Sequence, residues 1–166
     1  ISIYKNLIDI LNKENFNIIG EEPTALCKNW FYHGVNDGKV NILQKKVYNF
    51  FHNETKTKTK FNLWTTYKSY AIDLEGKGYK GGFVPLNIRA TNDYIETTAV
   101  AYLANIYFDP NIKGFFVNHN IEVNEDLFAL SELIQFLFRS AIRKKEKITL
   151  YIPSKRMRTL LIRWLD

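Results

Sequence analysis

One helical stretch and the apolar run behind it constrain this chain most. Between Leu130 and Arg143, the residues Gln135, Arg139 and Arg143 recur at every fourth position, and Leu130, Ile134, Leu137 and Ala141 fall on roughly the opposite face. That spacing predicts one amphipathic helix with a polar stripe turned away from the core. The run Ile148-Thr149-Leu150-Tyr151-Ile152 follows almost at once and reads as a buried strand. A helix leading into a mainly apolar strand is the unit from which parallel sheets are built.

The same alternation recurs along the chain. Helical spacing covers residues 2–14, 45–52, 68–74 and 97–107, and a turn with a short buried strand is expected over 15–20. Strands are expected over 61–66 and 83–86, although Pro85 sits awkwardly in the second. Asp109 followed by Pro110 opens a helix running to about Asn120. Asn124 caps the long helix, with Glu125 and Asp126 at its positive end, and Ser154 caps a last helix bearing Met157, Leu160, Leu161 and Trp164. Residues 21–44 give no clear periodicity. The pattern predicts an α/β fold, a single three-layer domain over 1–166 with a mainly parallel sheet and helices on both faces. In such sheets ligands bind beyond the carboxyl ends of the strands. Two polar segments are expected there, Thr65-Thr66-Tyr67-Lys68 and residues 89–94.

Composition narrows the partners. At 166 residues, 46% of them hydrophobic, the chain is long enough for its own core. No apolar run reaches the roughly 18 residues that a membrane span needs, so no membrane partner is expected. Cys27 is the single cysteine, which excludes an internal disulfide and points to a reducing, cytoplasmic setting. His33, His52 and His119 have no metal-ligand spacing, and no metal site is expected. The net charge is +6 and the pI about 9.3, as expected for a protein with a polyanionic partner. Nine of the 23 Lys and Arg residues lie between Arg139 and Asp166, against only Glu146 and Asp166.

Several chemistries find no support. The glycine-rich segment 76–82 precedes a strand and does not open a helix, so it is not a phosphate loop. No paired carboxylates stand out as a metal site. No Ser-His-acid or Cys-His arrangement is evident, and nothing orients Cys27 toward His33.

Taken in order, the strand ending at Trp64-Thr65-Thr66, the loop Val84 to Tyr94, and the stripe of Gln135, Arg139 and Arg143 resemble the second RecA-like domain of superfamily 2 helicases and translocases. The resemblance covers residues 60–153 and is one of order and chemistry. It departs from the family at the helix motif, where the last two arginines are usually three apart with a glycine before the first. Here they are four apart and Phe138 stands at the glycine position. The resemblance implies a RecA-like lobe in which Thr65, Thr66, Arg89 and Thr91 touch a nucleic-acid backbone. It implies that Asn92 and Asp93 face nucleotide. It also implies that Arg139 and Arg143, oriented by Gln135, reach as arginine fingers to ATP and Mg²⁺. ATP would be held by an N-terminal RecA-like domain, in the same protein or a separate subunit, because this chain has no nucleotide cradle of its own. On that reading the chain is the C-terminal fragment of a longer protein. The alternative is a stand-alone basic nucleic-acid-binding module without catalysis, such as a replication or mobile-element accessory protein. Its face would be Arg139 to Lys147 and Lys155 to Arg163.

Overall fold

The computed structural model describes residues 2–87 and 91–166. Four strands, β1 (Ile8–Ile10), β2 (Asn62–Thr65), β3 (Ala99–Tyr102) and β4 (Ile148–Tyr151), form one sheet in the order β1-β4-β3-β2, with every pair parallel. All residues of β2 and β3 are buried, as a sheet covered on both faces requires. Side chains alternate between two layers. Leu63, Val100, Tyr102 and Leu150 face one apolar cluster, while Trp64, Ala99, Ala101 and Tyr151 face the other.

The first layer is closed by α1 (Ser2–Leu7), α7 (Glu125–Leu137) and α8 (Lys155–Leu165). Buried Leu133, Phe136, Met157 and Leu161 pack there. Each such side chain contributes about 1.5–3 kcal/mol on burial. The second layer is closed by α3 (Lys28–Asp37), α4 (Lys39–Asn49) and α5 (Ala71–Leu74), through Phe31, Val40, Leu43, Val47 and Leu74. Two further α-helices lie among the described residues: α2 (Glu14–Asn17) follows β1, and α6 (Pro110–Asn118) follows β3.

Chain direction explains which layer each helix joins. Phe83 makes an isolated parallel bridge to Trp64, and the Val84 N–H donates to the Trp64 carbonyl at 3.0 Å, so Phe83 marks a rudimentary edge beyond β2. From β1 to β2 and on to Phe83 the chain advances across the sheet, with α3, α4 and α5 in the second layer. From Phe83 back to β3 and then β4 it returns, with α7 in the first. Crossovers of one hand must change face when they change direction.

The α/β expectation holds, but several elements differ from those the sequence predicts. Residues 2–14 are not one helix: α1 stops at Leu7, and Ile8 to Ile10 pair with Ile148 to Leu150. Residues 15–20 are not a strand but α2 and a 3-10 turn over Ile18–Gly20. Residues 97–107 hold β3 in place of the expected helix. Their alanines and leucine are good helix formers, but all of Ala99 to Ala104 are fully buried, and only a central strand covered on both faces accommodates that here. Of 83–86 only Phe83 pairs, because Pro85 has no N–H to extend the ladder. The helix expected over 45–52 begins at Lys39 and ends in a π turn, Phe50–Glu54. The unassigned stretch 21–44 becomes α3 and most of α4, joined at Gly38, whose φ of 90° suits glycine. Phe31 fills the second layer there and stacks on Tyr70.

Candidate functional site

The expected arginine stripe does not lie on one helix. α7 ends at Leu137, and Arg139 and Ser140 form a turn leading into a 3-10 turn, Ala141–Lys144, that carries Arg143. Ser140 causes the break. Its hydroxyl donates to the Leu137 carbonyl at 2.6 Å and accepts from the Ile142 N–H at 3.3 Å, capping the new turn. The Ala141 N–H then donates to the Thr97 carbonyl at 2.9 Å, which fixes the turn at the amino end of β3.

Gln135, Phe138, Arg139 and Arg143 nevertheless line one open concavity of about 280 Å³. The two arginines in it differ. Arg139 is 8% exposed and donates from Nη1 to the Gln135 carbonyl. Burial holds its pKa below the usual arginine range; Glu132 opposes that shift and Arg143 adds to it. Arg143 is exposed and donates from Nη1 to the Thr91 carbonyl at 3.2 Å. Gln135 is also exposed, and its amide donates to Ser131 Oγ at 3.1 Å, away from the arginines.

The loop carrying Thr91, Asn92 and Asp93 is therefore brought to the arginines. Besides the Arg143–Thr91 bond, Lys144 pairs with Glu96 at 2.8 Å and Ala141 bonds Thr97. Asn92 and Asp93 are exposed on this loop, and the Asp93 N–H donates to Thr91 Oγ1 at 3.2 Å.

Thr65 and Thr66 stand apart, at the carboxyl ends of the strands. Both are fully buried, and neither hydroxyl has a hydrogen-bond partner among the described residues. The same is true of Tyr102, the register partner of Thr65 on β3. Arg89 lies outside the described residues. The candidates thus divide between two ends of the sheet: Gln135, Arg139, Arg143 and Thr91 to Asp93 at the amino ends, Thr65 and Thr66 at the carboxyl ends.

The carboxyl ends also carry a group that sequence reasoning passed over, Asn105, with Arg156 and Tyr67 bonded to it. Buried Asn105 donates from Nδ2 to the carbonyls of Pro23 and Ala25, both at 2.9 Å, and its Oδ1 accepts from Arg156 at 2.8 Å. Arg156 also pairs with Asp126 at 2.9 Å and lies 3.9 Å from the centre of the Tyr107 ring. Tyr67 donates to the Asn105 carbonyl at 2.7 Å, and burial raises its pKa well above the ordinary tyrosine value. A polar residue ending the apolar run 99–104 was the available signal for Asn105, and it becomes visible once that run is read as a strand. Among the described residues no group of three or more His, Cys, Asp or Glu is placed to hold a metal ion, and no helix is long and apolar enough to cross a membrane.

Comparison with known proteins agrees with this architecture. The chain is 44% identical over 156 residues to the SPbeta prophage-derived uncharacterized protein YonV of Bacillus subtilis (strain 168). The match takes in 92% of the chain and 37% of that relative, so the chain spans little more than a third of the relative's length. No solved structure matches it. The family described as YonV C-terminal Rossmann-like domain matches residues 2–165, and the parallel sheet with both faces covered is what that description calls for. The chain belongs to the YonV C-terminal Rossmann-like domain family.

Proposed function

We propose that this domain is the second, RecA-like lobe of a nucleic-acid-dependent ATPase of helicase or translocase type. The observation that carries the reading is the pairing of an exposed arginine with a buried one in a single concavity, tied to the loop that holds Asn92 and Asp93. Arg143, exposed and bonded to the Thr91 carbonyl at 3.2 Å, is the arginine that would exchange that bond for a phosphate presented by a partner surface. Arg139, drawn into the protein by the Gln135 carbonyl, shapes the wall behind it.

The donor set fits phosphate oxygens and does not fit a metal. Its lining residues supply guanidinium and amide donors but no carboxylate, so Mg²⁺ and the nucleotide would be held by the opposing N-terminal lobe. ATP so bound supplies the phosphoryl group; Arg143 supplies positive charge against its terminal oxygens, a contribution of about 10³–10⁵ in rate for an arginine finger.

The competing picture, a stand-alone basic binding module, is weakened by how four of the nine C-terminal cations are used. Arg156 is spent on Asp126, Asn105 and Ile106, and Arg158 on the Ile152 and Pro153 carbonyls at 3.0 Å. Lys144 and Lys155 are paired with Glu96 and Glu21.

The experiment is ATP turnover by a full-length protein of this family, with and without nucleic acid. Arg143→Ala at the corresponding position should remove stimulated turnover, by about 10³-fold or more, and leave nucleic-acid binding intact. Undiminished turnover in that variant excludes the finger.

A further inference from the structure

We propose that the crevice at the carboxyl ends of β2 and β3 binds a phosphate group. The amino terminus of α3, with Lys28 and Lys68, supplies the positive charge, and the Thr66 hydroxyl supplies a hydrogen bond. The inference deepens the nucleic-acid half of the function above and rests on it only for the source of the phosphate.

Three observations converge. α3 is ten residues long and starts at Lys28 without a side-chain cap: Cys27, at the cap position, makes no such bond. The Phe31 N–H, bonded to the Cys27 carbonyl at 3.1 Å, is the first tied back into the helix, so the N–H groups before it have no intrahelical partner. An uncapped helix start favours an anion through these donors and through the helix dipole. Asn105 fixes this end in place through its bonds to the Pro23 and Ala25 carbonyls.

Thr66 is the second observation. It lines the crevice together with Lys28, Lys68, Ser69 and Asn87, in a space of about 450 Å³, yet it is fully buried and its hydroxyl has no partner among the described residues. A buried hydroxyl in that state is costly unless a bound group completes it.

The third is charge. The Lys28 ammonium stands 5.8 Å from the centre of the Tyr67 ring, on the crevice wall, and Lys68 lines the same crevice. An adjoining hollow shares Lys28, Tyr67 and Tyr107 and contains one acid, Asp109. That carboxylate already caps α6 through the Asn111 N–H at 2.8 Å. A group of two or more negative charges suits two lysines and a helix start better than a single carboxylate does.

The phosphate has two possible sources, a nucleic-acid backbone or a free nucleotide, and one assay separates them. Cys27 is the sole cysteine and lines the adjoining hollow, so its alkylation by iodoacetamide reports occupancy. The probes are a single-stranded deoxyoligonucleotide and inorganic pyrophosphate, applied to the 166-residue chain. In the wild type at least one probe should slow alkylation. In the Lys28→Ala/Lys68→Ala double variant the protecting probe should bind about tenfold or more weakly. With the oligonucleotide, the slope of affinity against salt should fall by about two.

Thr66→Val guards against misfolding as an explanation. It removes a hydroxyl that has no partner, so it should fold at least as stably as the wild type while losing protection. Protection by the oligonucleotide alone supports the site with the backbone as source. Protection by pyrophosphate supports it with a free phosphate ester, and pyrophosphate alone counts against nucleic acid at this end. No protection by either, or protection unchanged in both variants, overturns the proposal. None of these outcomes depends on ATP turnover, so the arginine reading stands or falls separately.

Discussion

Arg143 donates to the carbonyl of Thr91 at 3.2 Å, joining the turn after α7 to the loop before β3. Its neighbour Arg139 makes its bond inward, to Gln135. Similar side chains in one concavity thus do different work, and their substitutions should separate. Arg143→Ala loses one exposed hydrogen bond and should cost less than about 1 kcal/mol of stability. Arg139→Ala removes a buried charge-assisted bond and its packing and should cost about 1.5–3 kcal/mol. Urea denaturation of the two variants checks this; equal losses would mean that the arginines are not divided in this way.

Three buried hydroxyls, on Thr65, Thr66 and Tyr102, have no partner among the described residues. Removing such a group relieves a desolvation penalty. Thr65→Val and Tyr102→Phe should therefore be neutral or stabilising by up to about 1 kcal/mol, where most core substitutions destabilise. A loss above that size in chemical denaturation would show that the hydroxyls are satisfied.

Gly82 sits against β2, where a Cβ would lie 2.0 Å from the Asn62 carbonyl oxygen. That atom belongs to the sheet backbone and cannot move aside. Gly82→Ala should cost about 3 kcal/mol or more and detach Phe83 from Trp64. A wild-type thermal midpoint in this variant would contradict the close approach.

Alkaline pH should unfold the protein cooperatively. Burial raises the pKa of Tyr67, Tyr79, Tyr102 and Tyr151 above the ordinary value. The unfolded chain therefore releases these protons first, near its ordinary tyrosine pKa of about 10. Their contribution to stability is complete below that pH and is lost as pH rises toward the folded values. Phenolate absorbance should show these tyrosines ionising together with loss of circular dichroism; gradual ionisation without unfolding would contradict their burial.

How much of this was legible follows from where each signal resides. Asp109, Asn124 and Ser154 were readable as helix caps because capping is local, and each accepts a backbone N–H as expected, from Asn111, Leu127 and Met157. β4 was readable because four apolar residues, broken only by Thr149, follow a polar turn. β3 was not, because burial on both faces removes the alternation that marks a strand, leaving alanines that read as helix. β1 was hidden because three residues carry no period of their own; Ile8 and Ile10 are a strand only because Ile148 and Leu150 lie beside them. The arginine concavity was legible in its membership and not in its form. Spacing put Gln135, Arg139 and Arg143 together, but the Ser140 side chain, which ends the helix between them, works through bonds no spacing reveals.

The strand order carries a consequence for how the chain is made. Within this domain β1 is made before the other three strands, and it pairs with β4, which is made last of the four. A ribosome emitting this domain releases Ile8 to Ile10 while their strand partner is still unmade. The sheet closes at its β1 edge only after Ile148 to Tyr151 have left the tunnel. Contacts so distant in sequence slow folding and leave apolar edges uncovered in the interval. Chains cut short before β4 should therefore emerge with both β1 and the inner edge of β3 unpaired, and be recognised as waste by chaperones and proteases.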